Sequence, residues 1–484
     1  MSGPAIQGRL YIGGRWEESD GGSTRAAISP ADGSSLGTYV EGTPSDVDRA
    51  VRAARQASEQ LSSLTAWERA RLCFQVAQAI ERHADRLAEL LASEQGKPLH
   101  TEAVGESHTA AREFYEAGEQ IKYLETSFVP VADPFKRVFT IRQPRGVYGI
   151  VTPWNFPVNI PCEYLAPALA TGNSVVWVPA PTTSLCAIAL IEAIEEAGLP
   201  PGSINLVTGQ GPVVGDAAVA HPQVDAVGFT GSPETGRTIA QRAAGKPMVL
   251  ELGGNGPTIV LDDADLERAV QALSEGCFHN AGQTCAATEW ILVQRAVYEP
   301  LMQAMVQQAR SVVLGNPLEV GTTMGPLNNA KVADKVERHV QDARSHGAEV
   351  VWGGRRAPEL GSALYFQPTV VCGVTPDMAM SQEETFGPVV PLTPFDTDEQ
   401  ALQMAASQPY GLCAAVFTRN VGRAFYFAER VRAGIVNING PSTYWEIHLP
   451  FGGASGTRSG VGRLGGRHML ESMTDLKTIS VDVR

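Results

Sequence analysis

Several classes of protein are excluded by what this sequence has little of. Its seven cysteines, at 73, 162, 186, 277, 285, 372 and 413 of 484 residues, form no C-x-x-C pair, and its nine histidines show no metal-ligand spacing. A disulfide framework and a structural zinc site are thereby disfavoured, and no metal is expected. No apolar run reaches the ~18 residues of a membrane span, and the opening MSGPAIQGRLYIGG lacks the charged-then-apolar layout of a secretory leader. The expectation is a cytoplasmic protein without a membrane partner. Basic patches are missing as well: 52 acidic against 38 basic residues give a net charge of -14, with Lys and Arg scattered, so no nucleic-acid partner is expected. Internal repeats and low-complexity linkers are absent too.

What is present is a long, 43% hydrophobic chain, more than one core can organise. The first fifty residues read as a strand-and-turn cap. From Thr43 to Leu124, apolar residues recur at helical spacing, interrupted at Gly96-Lys97-Pro98, which predicts about three long helices. Residues 126–144 alternate and are turn-broken like a long hairpin. Strand and helix patterns then alternate, with strand candidates at 146–152, 174–178, 203–207 and 225–229, as in a parallel doubly wound sheet. A second α/β series runs from Thr258 to about Gly456, with strand candidates at 258–261, 290–293, 350–352, 389–391, 414–417 and 434–438. The tail DLKTISVDVR is a lone β-prone strand, expected to pair with the 126–144 hairpin or with another subunit.

Three residues suggest chemistry. Cys285, in FHNAGQTCAATEW, follows a polar Gly-Gln-Thr approach that gives the sulfur access, as a thiolate nucleophile requires. Glu251 ends the apolar strand in PMVLELGGNGP, where a carboxylate is costly to bury without a role such as general base. Asn155, in PWNFP after the strand VYGIV, can aim its amide hydrogens at an oxyanion. Taken alone, each has a plainer reading: a structural cysteine, a capping or salt-bridged glutamate, a helix-capping asparagine. The turn FTGSPETG, 229–236, joins a strand to a helix and suits a pyrophosphate, whereas TGQGPVVG at 208–215 is read as a turn and helix start.

PWNFP, FTGSPETG, LELGG, GQTC, EETFGP at 383–388 and PFGG at 450–453 occur in the order and approximate spacing of the aldehyde dehydrogenase superfamily, which nearly the whole chain resembles. That resemblance implies an α/β protein of two doubly wound Rossmann-like lobes plus a small β oligomerisation element. It assigns 1–124 and 145–252 to an NAD(P)-binding domain, 253–456 to a catalytic domain, and 125–144 with 457–484 to the bridging element. It implies oxidation of a small-molecule aldehyde by a homodimer or homotetramer, with Cys285 as nucleophile, Asn155 as oxyanion donor and Glu251 as the base that hydrolyses a thioester.

By the same resemblance Thr152, Pro153, Trp154, Val178, Pro179, Ala180, Gly231, Ser232, Gly236, Leu252, Gly253, Glu384 and Phe386 bind the cofactor. The family usually places a lysine and a glutamate where Val178 and Pro181 stand here, so the rule separating NAD from NADP fails; the reading is NAD, with NADP left open. His108, Phe156, Asn159, Glu163, His279, Trp445, His448 and Phe451 are expected to face the substrate tunnel, a polar set suited to polar or hydroxylated aromatic aldehydes. The plainer alternative is that some of these point away or satisfy loop backbone. Two rival functions remain: a CoA-acylating dehydrogenase, disfavoured by Glu251, and a catalytically silent binding relative, disfavoured by the intact trio.

Overall fold

The computed structural model describes residues 6–484, so the first five residues of the stretch read for a leader lie outside it. Two open α/β sheets dominate. The first has eight strands in the order 460–461, 248–252, 226–231, 147–151, 174–178, 204–206, 10–12 and 15–17. Its five central strands are parallel, and antiparallel pairs close both edges. The second has seven strands, with only the edge strand Glu349–Trp352 antiparallel. Each sheet is sandwiched between helices, as Val- and Ile-rich parallel strands buried on both faces require.

In the first sheet, Val147–Val151 is followed by neighbours on one side (174–178, 204–206) and then on the other (226–231, 248–252). The order therefore reverses between Val147–Val151 and Ala226–Gly231, and the carboxyl ends of these strands splay into a crevice. Pro153 to Phe156 leave one strand there, and Gly231 and Ser232 leave the other.

The N-terminal segment does more than cap the fold, because Leu10–Ile12 and Arg15–Glu17 extend the large sheet while Ile6–Gly8, Thr24–Ile28 and Ser35–Val40 form a small one. The helical stretch begins at Pro44–Ser63 behind a Thr43–Asp46 capping box, continues through Ala66–Arg82 and Ala84–Leu90, and ends with Val104–Gln120. The Gly96-Lys97-Pro98 interruption separates two wide π-helical turns, Leu91–Gln95 and Leu99–Ala103. Such turns recur at functional sites, and these two point Gln95, Lys97 and Glu102 inward. Strand Thr369–Cys372 carries no alternating pattern and went unpredicted.

Strand Thr474–Asp482 pairs antiparallel along its whole length with Lys136–Pro144, and Phe128–Val129 completes a separate three-stranded sheet. Gly460–Val461 pairs with Leu250 and Glu251 at the edge of the first sheet, and Gly466–Ser472 packs on the helices Val104–Gln120 and Asn159–Thr171. Among the described residues no helix is long and apolar enough to cross a membrane.

Candidate active site

Two cavities meet at Cys285. The larger, about 590 Å³, runs along the crevice of the first sheet past Pro153, Trp154, Asn155, Gly231, Ser232, Gly253, Glu384 and Phe386. The smaller, about 250 Å³, opens to the other side between Phe156, Asn159, Glu163, His279, Trp445 and Phe451. Cys285, Glu251 and Thr230 line both, while Asn155 lines the larger.

Cys285 follows a short helical turn, His279–Gly282, in which Asn280 (φ 50°) and Ala281 (φ 54°) are both left-handed. Two successive non-glycine residues in that region store strain that the surroundings must hold. They do so through a buried polar scaffold. Asn280 takes its backbone N–H to the Glu102 carboxylate at 3.0 and 3.1 Å, its Oδ1 accepts from Gln95, and its Nδ2 donates to the Asn155 carbonyl oxygen at 2.9 Å. Lys97, fully buried, pairs with Glu106 and donates to the same carbonyl at 3.0 Å. Glu106 in turn accepts the N–H groups of Val158 and Asn159.

That last pair answers the plainer reading of Asn155. The N-terminus of helix Asn159–Thr171 is satisfied by Glu106 from another helix, and Asn155 instead donates from Nδ2 to the Gln283 carbonyl at 3.0 Å. One amide hydrogen is thus anchored beside Cys285, leaving the second for another acceptor. Glu251 is 3% exposed, forms no ion pair, and its Oε1 has no partner among the described residues. A surface or capping role is inconsistent with this. Burial, with Glu163 and Glu384 nearby, raises its pKa well above the carboxylate range, and the neighbouring Cys285 thiol offsets only a small part of that rise. Burial and Glu251 likewise push the Cys285 thiol upward. Thiol and carboxyl therefore compete for protons in a cleft that disfavours both anions.

The larger cavity suits an extended anionic molecule. Ser232 is the N-cap of helix Pro233–Arg242, accepting from the Thr235 N–H, so the positive end of that helix opens into the cavity. Lys331 and Lys335 also line this cavity. A Cβ on Gly253 would lie 2.6 Å from the Glu384 carboxylate, so glycine keeps this narrow passage open. Glu384 accepts the Gly254 N–H at 3.0 Å and is raised by burial to about 7. The Glu289 carboxylate receives the N–H groups of Thr385 and Phe386, holding Phe386 at φ 59° with its ring edge-on to Trp154, centroids 5.7 Å apart.

Six predicted cofactor residues do not line this cavity. Thr152 spends its hydroxyl on the Trp177 indole N–H, Val178 and Pro179 are buried in the sheet, Ala180 lies beyond it, and Leu252 and Gly236 pack on each other. In the tunnel, His108 and His448 are corrected: neither lines it and both are exposed, His108 on the outer face of the helix Val104–Gln120 and His448 3.6 Å from Glu446. The other six line it. Lys97, Glu102, Glu106, Asn280 and Gln283 went unread; a lone Lys beside a helix-breaking Gly-Pro pair was the available signal for the first.

With this geometry in view, comparison with known proteins is informative. A model of the aldehyde dehydrogenase family matches residues 16–479. The chain belongs to that family. It is 38% identical over 477 residues to the alpha-ketoglutaric semialdehyde dehydrogenase of Bacillus subtilis, covering 97% of each chain. Among solved structures, an NADP dependent enzyme of E. coli superposes with a TM-score of 0.96 at 36% identity, covering 99% of this chain and 98% of that one. The betaine aldehyde dehydrogenase of Staphylococcus aureus in complex with NAD+ gives 0.95 at 36% identity, covering 98% and 95%. The fold is accordingly that of an aldehyde dehydrogenase, with two Rossmann-like lobes, and the family is one of oxidoreductases.

Proposed function

We propose that this protein oxidises an aldehyde to its carboxylic acid with NAD(P)+, through a thioester on Cys285. One observation carries the reading: a thiol and an unpartnered buried carboxyl stand together where a large cavity meets a narrow one. A cofactor on one side and an aldehyde on the other reach the same sulfur from opposite directions.

The residues of the larger cavity fit a dinucleotide. The N-terminus at Ser232 would hold its phosphates, with Lys331 and Lys335 in the same cavity, and Glu384 and Phe386 would hold the end nearest Cys285. A bound nicotinamide would supply the hydride acceptor for the carbon attached to sulfur. The chain's own groups do the rest. Glu251 takes the thiol proton as sulfur adds to the carbonyl, and the free Nδ2 hydrogen of Asn155 with the Cys285 N–H supports the oxyanion. After hydride loss, Glu251 passes that first proton to solvent and takes another from water as the oxygen attacks the thioester; the C–S bond then breaks to release the acid, and Glu251 returns its proton to the sulfur to restore the thiol.

NAD is the proposed cofactor. The uncharged Val178–Pro181 run neither pairs nor repels a 2′-phosphate, so assays with each dinucleotide are needed to set the ratio. Glu251 favours hydrolysis over transfer to coenzyme A, and the intact constellation favours catalysis over a silent binding role. The test is formation of NAD(P)H at 340 nm from a panel of polar aldehydes, hexanal and decanal, with and without coenzyme A. Reduction without coenzyme A, with polar aldehydes ahead of decanal, is the expected result; absence of reduction with every aldehyde refutes the reading.

A further inference from the structure

The tunnel between Cys285 and solvent is walled by the rings of Phe156, Trp445 and Phe451 and by the carboxyl groups of Glu163 and Glu275. None of the residues lining it is a lysine or arginine. Its one imidazole, His279, stacks on Phe156 and has its Nδ1 3.6 Å from the Glu102 carboxylate. The Lys97 ammonium lies 3.8 Å from the Phe156 ring centroid, but it is fully buried on Glu106 and does not line the tunnel.

The polar atoms of this wall accept more than they donate. Asn159 gives its Nδ2 hydrogen to Glu163 Oε1 at 2.9 Å, and its own Oδ1 is buried with no donor. Glu275 meets only the Thr443 hydroxyl, at 3.4 Å. Trp445 has its indole N–H fixed on the Leu449 carbonyl at 2.9 Å and stands edge-on to Phe451, centroids 5.4 Å apart. What such a wall lacks is a donor that is also positive: aromatic faces attract cations, and buried acceptors without donors are costly.

We propose that the tunnel selects aldehydes bearing a primary ammonium group at the end remote from the carbonyl. The inference rests on the function proposed above and narrows it. An ammonium supplies three donors, enough for Glu163, for the stranded Asn159 Oδ1 and for one further acceptor, while its charge faces the rings. A carboxylate in the same place would bring a fourth acid group to a wall that already holds Glu163, Glu251 and Glu275 and has no lysine or arginine, and is rejected.

The experiment compares kcat/KM for 3-aminopropanal, its N-trimethyl derivative, butanal and succinic semialdehyde in the wild type, Glu163→Gln and Glu275→Gln. The amine is expected to exceed butanal about tenfold or more, and succinic semialdehyde to fall about tenfold below it. The trimethyl compound, which offers charge without donors, should lie between amine and butanal. Glu163→Gln keeps the acceptor for Asn159 and should lower the amine-to-butanal ratio by about fivefold or more. A preference for succinic semialdehyde over butanal, or an amine-to-butanal ratio unmoved in both variants, overturns the proposal. A second readout does not need turnover: propylammonium should slow iodoacetamide alkylation of Cys285 and glutarate should not. The reverse order overturns the charge preference, whereas a lack of NAD(P)H from every aldehyde, with the protection order intact, overturns only the functional reading.

Discussion

Replacing Lys97 by methionine tests whether the polar scaffold behind Asn155 holds the site together. The substitution keeps most of the side-chain volume and removes the ammonium that pairs with Glu106, donates to the Asn155 carbonyl and lies over Phe156. Glu106 is left buried with only the Val158 and Asn159 N–H groups. Removing one partner of a buried pair costs about 3–5 kcal/mol, because the remaining charge is stranded. At ~2.1 cal/mol/K per residue, for a cooperative unit of about 250 residues, that lowers Tm by about 6–10 °C. Activity should suffer more. Asn155 loses one of the bonds that place its amide, and misplacing an oxyanion donor costs about 10²–10³ in kcat. Calorimetry and saturating kcat on Lys97→Met, Glu106→Gln and the double variant separate the effects, because the double variant removes the stranded charge and should regain part of the stability without regaining kcat. A Tm shift below about 2 °C together with near-normal kcat in Lys97→Met would refute the reasoning.

Four further outcomes are expected. Cys285→Ala and Cys285→Ser should abolish oxidation while leaving Tm and dinucleotide binding by fluorescence nearly intact; near-normal turnover in either contradicts the covalent mechanism. Glu251→Gln should give a burst of NAD(P)H and then stall, with acyl-Cys285 visible by mass spectrometry, and unchanged steady-state turnover would remove its assigned role. Burial raises Glu384 to about 7 and Glu289 to about 8 from 4.5, so the folded chain keeps protons that the unfolded chain releases. Their contribution is complete below the ordinary carboxyl pKa and is lost as pH rises through these raised values. Tm should therefore fall from about pH 5 to about pH 8 and level off above that, and Glu384→Gln, which keeps an acceptor for Gly254, should flatten the fall; an unchanged slope speaks against it. The sheet of 474–482, 136–144 and 128–129 exposes Phe128, Val129, Leu476 and Val481, so a dimer or tetramer is expected, and a monomer by light scattering at micromolar concentration argues otherwise.

The strands of both lobes were legible because buried parallel strands are short, Val- and Ile-rich and bounded by turns; most ends fall within a residue or two of the pattern. Cys285, Glu251 and Asn155, each ambiguous alone, were singled out together because six motifs occur in order along the chain, and the fold brings all three to the walls of one cavity. The scaffold behind them was not. Lys97, Glu106 and Asn280 lie far apart in sequence, and each looks locally like a helix surface or loop residue; only packing shows that one carbonyl, that of Asn155, collects two of them. His108 and His448 were misplaced for the converse reason: proximity in sequence to the tunnel's segments does not say which side of a helix or turn faces inward. The pairing of the tail strand with the 126–144 hairpin was anticipated, whereas the two-residue pairing at Gly460–Val461 is too short to leave a periodic signature.

The two cavities share Cys285, Glu251 and Thr230, and otherwise their walls come from different segments, with the PWNFP turn contributing to both. Substitutions in separate walls that touch no common partner change free energies nearly additively. Phe451 and Trp445 can therefore be varied for a new aldehyde, and Lys331 and Thr182 for a new dinucleotide, in separate libraries whose best members combine without rescreening. Trp154 and Phe156 are the exception. They lie one residue to either side of Asn155 on a single turn, and there a gain in one cavity is coupled to the geometry of the other.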